Sequence, residues 1–313
     1  MSLSVKNITK KYGDKLVVDD LSFEMRDPGV YALLGSNGAG KTTSLRIILG
    51  MLAKNSGEIL WKDQPIDIVN TNVGYLAEER GLYPKYSLLD QLLYFAKLKR
   101  VDKKTAMERI KYWSDRLNVD EYVFPKKTKG KKSSKANNAD QLSKGNQQKI
   151  QLMVALLSDP ELLIIDEPFS GLDPVNTDLF KSILREEINQ NKYLIMSSHQ
   201  MATIEEFCSD ITILHRGKVK LQGNLSEIKK SYGRVNLIVK CEQDIASYIS
   251  SHNIQIVNKT PSEYHLKVQG EEEAMGFLAK LIADNITVIK FELREPSLHE
   301  IFVEKVGDEE DEE

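Results

Sequence analysis

The sequence predicts an α/β protein built on a parallel sheet, followed by a smaller α+β domain. Three observations carry that expectation. An apolar run, Val30-Tyr31-Ala32-Leu33-Leu34, leads into a glycine-rich turn and then a helical pattern of Leu45, Ile48, Leu49 and Leu52. Two more short apolar runs, at 162–165 and 193–196, flank a helix-like stretch near 175–190, which is the alternation of a parallel sheet. Beyond about residue 222 the pattern changes to strands at 235–239, 263–268 and 286–291, with helical segments near 243–251 and 271–283.

The remaining elements follow in chain order. Leu3, Val5 and Ile8, then Leu16, Val18, Leu21 and Phe23, alternate with polar residues around the turn Tyr12-Gly13-Asp14-Lys15, so antiparallel strands open the chain. Residues 88–118 read as helical, with Leu88, Leu92, Phe95 and Leu98, then Ile110, Trp113 and Leu117, at three- to four-residue spacing. Residues 125–141 are polar and rich in Lys, Ser and Asn, which marks a loop. A helix should follow from Asn146 to Leu157.

Composition excludes several classes. The chain has 313 residues, of which 41% are hydrophobic and 28% charged, as in ordinary globular proteins. Cys208 and Cys241 stand apart with no metal-ligand spacing, so a disulfide scaffold and a zinc site are not expected. No apolar run approaches the ~20 residues that span a bilayer, and the N-terminus has no signal-peptide core. Residues 223–313 hold 10 Lys and Arg against 18 Asp and Glu, much of that excess in an acidic tail at 306–313. The remainder is mildly basic through six lysines between Lys126 and Lys135, and neither part has the charge of a nucleic-acid binder.

Two motifs carry chemistry. Gly35-Ser36-Asn37-Gly38-Ala39-Gly40-Lys41-Thr42 matches GxxxxGK[ST], the phosphate-binding P-loop. Its glycines let backbone N–H groups converge on nucleotide phosphates at a helix N-terminus. Lys41 should reach the β- and γ-phosphates, and Thr42 should ligate Mg²⁺. Leu162-Leu163-Ile164-Ile165-Asp166-Glu167 is an apolar strand ending in two acids, at the sheet edge where such folds bind ligands. Asp166 suits the Mg²⁺ site, and Glu167 suits a base that orients or deprotonates the attacking water. A guanine-reading NKxD motif is missing, because Asn191-Lys192-Tyr193-Leu194 lacks the acid.

Leu142-Ser143-Lys144-Gly145-Asn146-Gln147-Gln148-Lys149 resembles the signature motif of ATP-binding cassette (ABC) ATPases. In that family's order, Ser170-Gly171-Leu172-Asp173-Pro174 is similar to the D-loop, and Ser197-Ser198-His199 to the switch histidine. The resemblance implies a P-loop NTPase fold with a RecA-like core, an antiparallel β subdomain and a helical subdomain at about 76–150. It implies that Tyr12 stacks on adenine and that Thr43 binds a phosphate oxygen. Ser143, Gly145 and Gln147 would contact the nucleotide held by a second protomer. Asp173 would join the dimer contact, and His199 would hold Glu167 and water at the γ-phosphate.

Two departures from the family pattern stand out. After Gly74-Tyr75-Leu76-Ala77, where the family has a glutamine, this chain has Glu78, a carboxylate able to ligate Mg²⁺. The signature carries Lys144 and Asn146 in place of the usual residues. Glu78-Glu79-Arg80-Gly81-Leu82-Tyr83-Pro84 and the late Pro296-Ser297-Leu298-His299-Glu300-Ile301-Phe302 resemble a bacterial drug- and sodium-efflux subgroup with a C-terminal extension.

The resemblance thus implies an ATPase domain at 1–222 and an accessory domain at 223–305. Each chain would pair head to tail with itself or a homologue, bind ATP and Mg²⁺, and drive a separate transmembrane permease from the cytoplasmic face of the membrane. The competing expectation is a soluble ABC-type ATPase acting on ribosomes or DNA. The lysine segment reads either as a solvated loop or as a tether to the permease or to acidic headgroups.

Overall fold

A computed structural model describes residues 2–66, 71–79, 81–125 and 137–307. The chain divides into two compact units, Met1–Gln222 and Gly223–Glu313. The lysine segment and the acidic tail from Asp308 onward lie outside the described residues.

The first unit holds two sheets. An antiparallel one, in the order β2-β1-β4-β5, comprises β1 (Leu3–Tyr12), β2 (Lys15–Met25), β4 (Ser56–Trp61) and β5 (Gln64–Pro65). Gly13, at φ 57°, closes the β1–β2 hairpin, pairing Tyr12 with Lys15. The other sheet contains β3 (Gly29–Leu34), β6 (Val73–Leu76), β7 (Leu162–Asp166), β8 (Tyr193–Ser198), β9 (Asp210–His215) and β10 (Lys218–Asn224), in the order β10-β9-β3-β8-β7-β6. Strands β6, β7, β8, β3 and β9 are parallel, and all five residues of β7 are buried, as a strand covered on both faces requires. Helix α1 (Lys41–Ile48) sits between the sheets. Its Leu45 and Ile48, with the following Leu49, join Leu3, Val5 and Phe23 of one sheet to Leu33, Ile164 and Ile195 of the other in one apolar cluster.

The stretch at 88–118 is two helices, α2 (Leu88–Leu98) and α3 (Lys103–Arg116). Arg100 takes a left-handed φ of 59°, and Asp102 accepts the N–H groups of Lys104 and Thr105, so the chain stops and restarts between them. The short α4 (Asp120–Val123) follows, then α5 (Lys144–Leu156) with Ser143 as its N-cap. Helix α6 (Pro174–Asn189) begins with Pro174 behind the cap Asp173, and the short α7 (Met201–Glu205) links β8 to β9.

Register fixes where the loops emerge. Asp166 pairs with Ser197, Leu34 with Ser198, and Leu76 with Ile165. The turns after β3, β6, β7 and β8 therefore leave the sheet side by side at its carboxyl edge, the ligand edge of open α/β sheets.

The second unit starts with α8 (Leu225–Tyr232) and continues through β11 (Asn236–Cys241), α9 (Ala246–Ser251), β12 (Gln255–Lys259), β13 (Tyr264–Lys267), α10 (Glu271–Ala283) and β14 (Val288–Arg294). The antiparallel order β12-β13-β11-β14 makes this a split βαβ, ferredoxin-like sandwich. Leu237 and Val239 of β11, Leu266 of β13, and Phe277 and Leu281 of α10 share its apolar core. Helix α11 (Leu298–Gly307) closes the unit. The Glu300 N–H donates to Ser297 Oγ and the Ser297 N–H to Glu300 Oε2, a capping box that explains the Pro-Ser-Leu-x-x-Ile-Phe pattern. Arg294 holds the same carboxylate with two hydrogen bonds of 3.1 Å.

Candidate functional site

The loop from Gly35 to Gly40 is shaped by what a side chain would strike. A Cβ on Gly35 would lie 2.4 Å from the Leu214 carbonyl oxygen, and one on Gly40 2.5 Å from that of Val17. Gly40 also takes φ 105°, which strains any other residue. Gly40 caps α1 without a side-chain hydrogen bond, so the first N–H groups of the helix keep free donors at a cavity of about 630 Å³. Residues 37–43 form one wall, which places Asn37, Gly38, Ala39, Gly40, Lys41, Thr42 and Thr43 around the same space.

Lys41 is nearly fully buried. Its Nζ donates to the carbonyls of Gly35 (2.8 Å) and Ser36 (3.3 Å), and stands 3.3 Å from Glu167 Oε1. The other Glu167 oxygen is 2.9 Å from His199 Nδ1 and accepts the His199 N–H at 3.4 Å. Glu167 has a left-handed backbone, φ 51°, uncommon for a residue with a Cβ. Its N–H is held by the carbonyl and hydroxyl oxygens of Ser197, both at 3.2 Å, which fixes that conformation at the end of β7.

Asp166 lies one residue deeper. Its Oδ1 accepts from Thr42 Oγ1 at 3.2 Å and from Ser197 Oγ, while its buried Oδ2 has no hydrogen-bond partner among the described residues. Burial pushes the Asp166 carboxyl above its ordinary range, against the pull of the Ser197 and Thr42 hydroxyls. Glu78 lines the cavity, and its carboxyl is also raised, first by burial and then by the charges of Asp166 and Glu167. Three carboxylates thus face one lysine. An orphaned oxygen within an all-oxygen donor set suits a hard divalent cation. No ready-made cluster of three metal-binding side chains occurs among the described residues.

The signature residues lie elsewhere. Ser143 accepts the Asn146 N–H at 3.2 Å as the cap of α5, and a Cβ on Gly145 would lie 3.4 Å from Asn176 Nδ2. Asp173 caps α6 by accepting the Asn176 N–H at 2.9 Å, a bond that, with the Asn176 side chain, holds its carboxyl below the usual range. The signature turn and the turn before α6 are therefore neighbours, and neither lines the cavity above the P-loop. Gln147 is buried, and its Nε2 donates to the carbonyls of Ala139 (2.9 Å) and Leu142 (3.2 Å). In this structure that amide braces the turn ahead of α5 rather than facing a ligand.

Tyr12 stands outside the cavity wall, half exposed, with Lys10 Nζ 5.0 Å from its ring centre. The wall at that end is formed instead by Lys15, Leu16 and Val17 of β2 together with Arg216 and Gly217 of the β9–β10 turn. Sequence reasoning missed these residues. Gly217 donates its N–H to the Ala39 carbonyl and accepts from the Asp19 N–H, contacts that no linear pattern announces.

A P-loop lysine and threonine after β3, two acids at the end of β7 and a histidine from the end of the intervening β8 on the carboxylate define a P-loop ATPase. Residues 18–170 match the profile of the family described as ABC transporter, and residues 223–306 that of the ATP-binding protein DrrA1-3-like C-terminal domain. The uncharacterized ABC transporter ATP-binding protein YhaQ of Bacillus subtilis is 42% identical over 306 residues, covering 97% of this chain and 98% of YhaQ. The bacitracin transport ATP-binding protein BcrA of Bacillus licheniformis is 29% identical over 98% of both chains. A solved ATP-binding subunit of an ABC transporter superposes with a TM-score of 0.65 at 26% identity, covering 74% of this chain and 93% of its own. The chain belongs to the ATP-binding proteins of ABC transporters, and it is an ATPase.

Proposed function

We propose that the chain powers an efflux-type transporter whose membrane-spanning permease is a separate polypeptide, working as a head-to-tail dimer at the cytoplasmic face of the membrane. No helix among the described residues is long and apolar enough to cross a membrane, which fits a role in which a partner supplies the spans. The efflux assignment draws on BcrA, named for bacitracin transport, and on the DrrA-like C-terminal domain. The alternative, a soluble ATPase acting on ribosomes or DNA, is not favoured, since the relatives carry transporter names.

One observation carries the dimer. The cavity is walled by the P-loop, Glu78 and Glu167, but not by Ser143, Gly145 or Asp173 of the same chain. A second copy facing it would bring its signature turn over the phosphates, and symmetry would create two such sites. Residues 1–222 would form the ATPase domain, with a helical subdomain at about 76–150, and 223–305 the accessory domain.

The geometry suggests how the residues divide the work. When ATP enters, Lys41 exchanges the carbonyls of Gly35 and Ser36 and the Glu167 carboxylate for phosphate oxygens. The freed Glu167 oxygen then faces the γ-phosphate and orients or deprotonates water, while His199 holds the other oxygen. Thr42, Asp166 and Glu78 would hold Mg²⁺, which when bound neutralises phosphate charge. Tyr12 would contribute its ring to the base subsite. Mixing Ser143→Arg with Lys41→Ala tests the arrangement, because one site of the mixed dimer is then intact. Restored phosphate release supports it. No rescue, with mixed dimers shown to form, overturns it.

A further inference from the structure

Helix α5 makes two side-chain contacts that the site chemistry does not use. Gln148 Nε2 donates to the Pro168 carbonyl at 2.7 Å, and Pro168 directly follows Glu167. Gln151 Nε2 donates to the Glu79 carbonyl at 3.0 Å, and Glu79 directly follows Glu78. Three residues apart, the two amides lie on one face of the helix. Gln151 is buried and Gln148 partly so, and each engages the backbone of a loop that carries an acid of the cavity. The Glu79 loop is tied on its far side as well, since the Glu79 carboxylate is 3.7 Å from Arg46 on α1.

We infer that Gln148 and Gln151 are positioning residues that make α5 a rigid link between the two ATP sites, an inference that rests on the dimer proposed above. The N-cap of α5, Ser143, would serve the partner's ATP, whereas Glu167 and Glu78 serve the chain's own. A helix is stiff along its axis, so seating Ser143 on one γ-phosphate shifts the two amides together. The loops of Glu167 and Glu78 then move as the other site fills. The physical requirement for such coupling is a discrete element biased from both ends, and these two hydrogen bonds supply its second end.

The test uses the mixed dimer of Ser143→Arg and Lys41→Ala chains, in which a single site works. Its P-loop and acids come from the Ser143→Arg chain and its signature from the Lys41→Ala chain. Gln148→Met plus Gln151→Met keeps side-chain length and helix propensity but removes both donors. The pair is placed first in one chain and then in the other, with melting temperature and fluorescent-ATP affinity as controls. Each placement should lower turnover by roughly three- to tenfold, the range expected for losing hydrogen bonds of this kind, while ATP affinity stays within about twofold. An effect confined to the Ser143→Arg chain means that the glutamines merely brace their own catalytic loops, and it overturns the link. An effect in neither placement overturns it too. Failure of the parent mixed dimer to turn over ATP, with mixed dimers shown to form, removes the head-to-tail arrangement, and is read before any glutamine is changed.

Discussion

Glu167→Gln separates the two jobs this carboxylate does. Without nucleotide, Glu167 Oε1 stands 3.3 Å from Lys41 Nζ, both side chains being about 5% exposed. At that distance an effective dielectric near 20 gives an attraction of about 5 kcal/mol, most of it offset by the cost of burying both charges. Lys41 must give up this partner to reach phosphate, so removing the charge should tighten ATP binding by about tenfold. Turnover should move the other way. Loss of a positioned base costs about 10²–10⁴ in rate, which is about 3–5 kcal/mol of transition-state stabilisation. The assays are fluorescent-nucleotide titration for affinity and phosphate release for turnover, with light scattering to detect an accumulated ATP-bound dimer. Weaker ATP binding, or turnover within tenfold of wild type, would refute the assignment of Glu167 to both roles.

Two further outcomes follow from the same region. Burial raises the Asp166 carboxyl above its ordinary value, so the folded, metal-free protein binds that proton more tightly than the unfolded chain. Its stabilising contribution is complete below the ordinary carboxylate value and is lost as pH rises through the raised one. Asp166→Asn, measured by thermal melts without Mg²⁺, should therefore gain more stability at pH 8 than at pH 5; equal or lower melting points at both would count against this. A Cβ at Gly74 would lie 2.4 Å from the Ala155 carbonyl oxygen and 2.7 Å from Leu163 Cδ1, where strand β6 meets α5. Gly74→Ala should cost about 1–3 kcal/mol in urea unfolding, and an unchanged midpoint would show that the backbone there can give way.

The α/β class was legible because β3, β7 and β8 are short, buried and bounded by glycine, acid or other polar residues. Two edge strands, β10 and β12, were not. All five residues of β12 are exposed, and β10 has no fully buried one, so neither shows the alternation that marks a half-buried strand. The break between α2 and α3 was hidden because Arg100 is no helix breaker, and only the cap Asp102 announces the restart. At the site, residue type and spacing pointed to Lys41, Thr42, Asp166, Glu167 and His199, which the fold gathers at one sheet edge. Spacing could not reveal that Lys10 lies over Tyr12, nor that burial joins the Asp166 and Glu167 charges in raising the Glu78 carboxyl. Those depend on side-chain placement across strands, which a linear pattern does not encode. The cavity wall at Arg216 and Gly217 was missed for the same reason.

The order of strands in the parallel sheet has a consequence for biosynthesis. Strand β3 (Gly29–Leu34) pairs on one side with β8 (Tyr193–Ser198) and on the other with β9 (Asp210–His215). A chain leaving the ribosome therefore carries this apolar strand, with the glycine loop attached, through roughly 160 further residues before either neighbour exists. Contacts this distant in sequence form slowly and leave strand edges open meanwhile. The nascent protein cannot assemble its nucleotide cradle until β8 has emerged. Over that interval both edges of β3 stay unpaired, an open template for pairing with another chain.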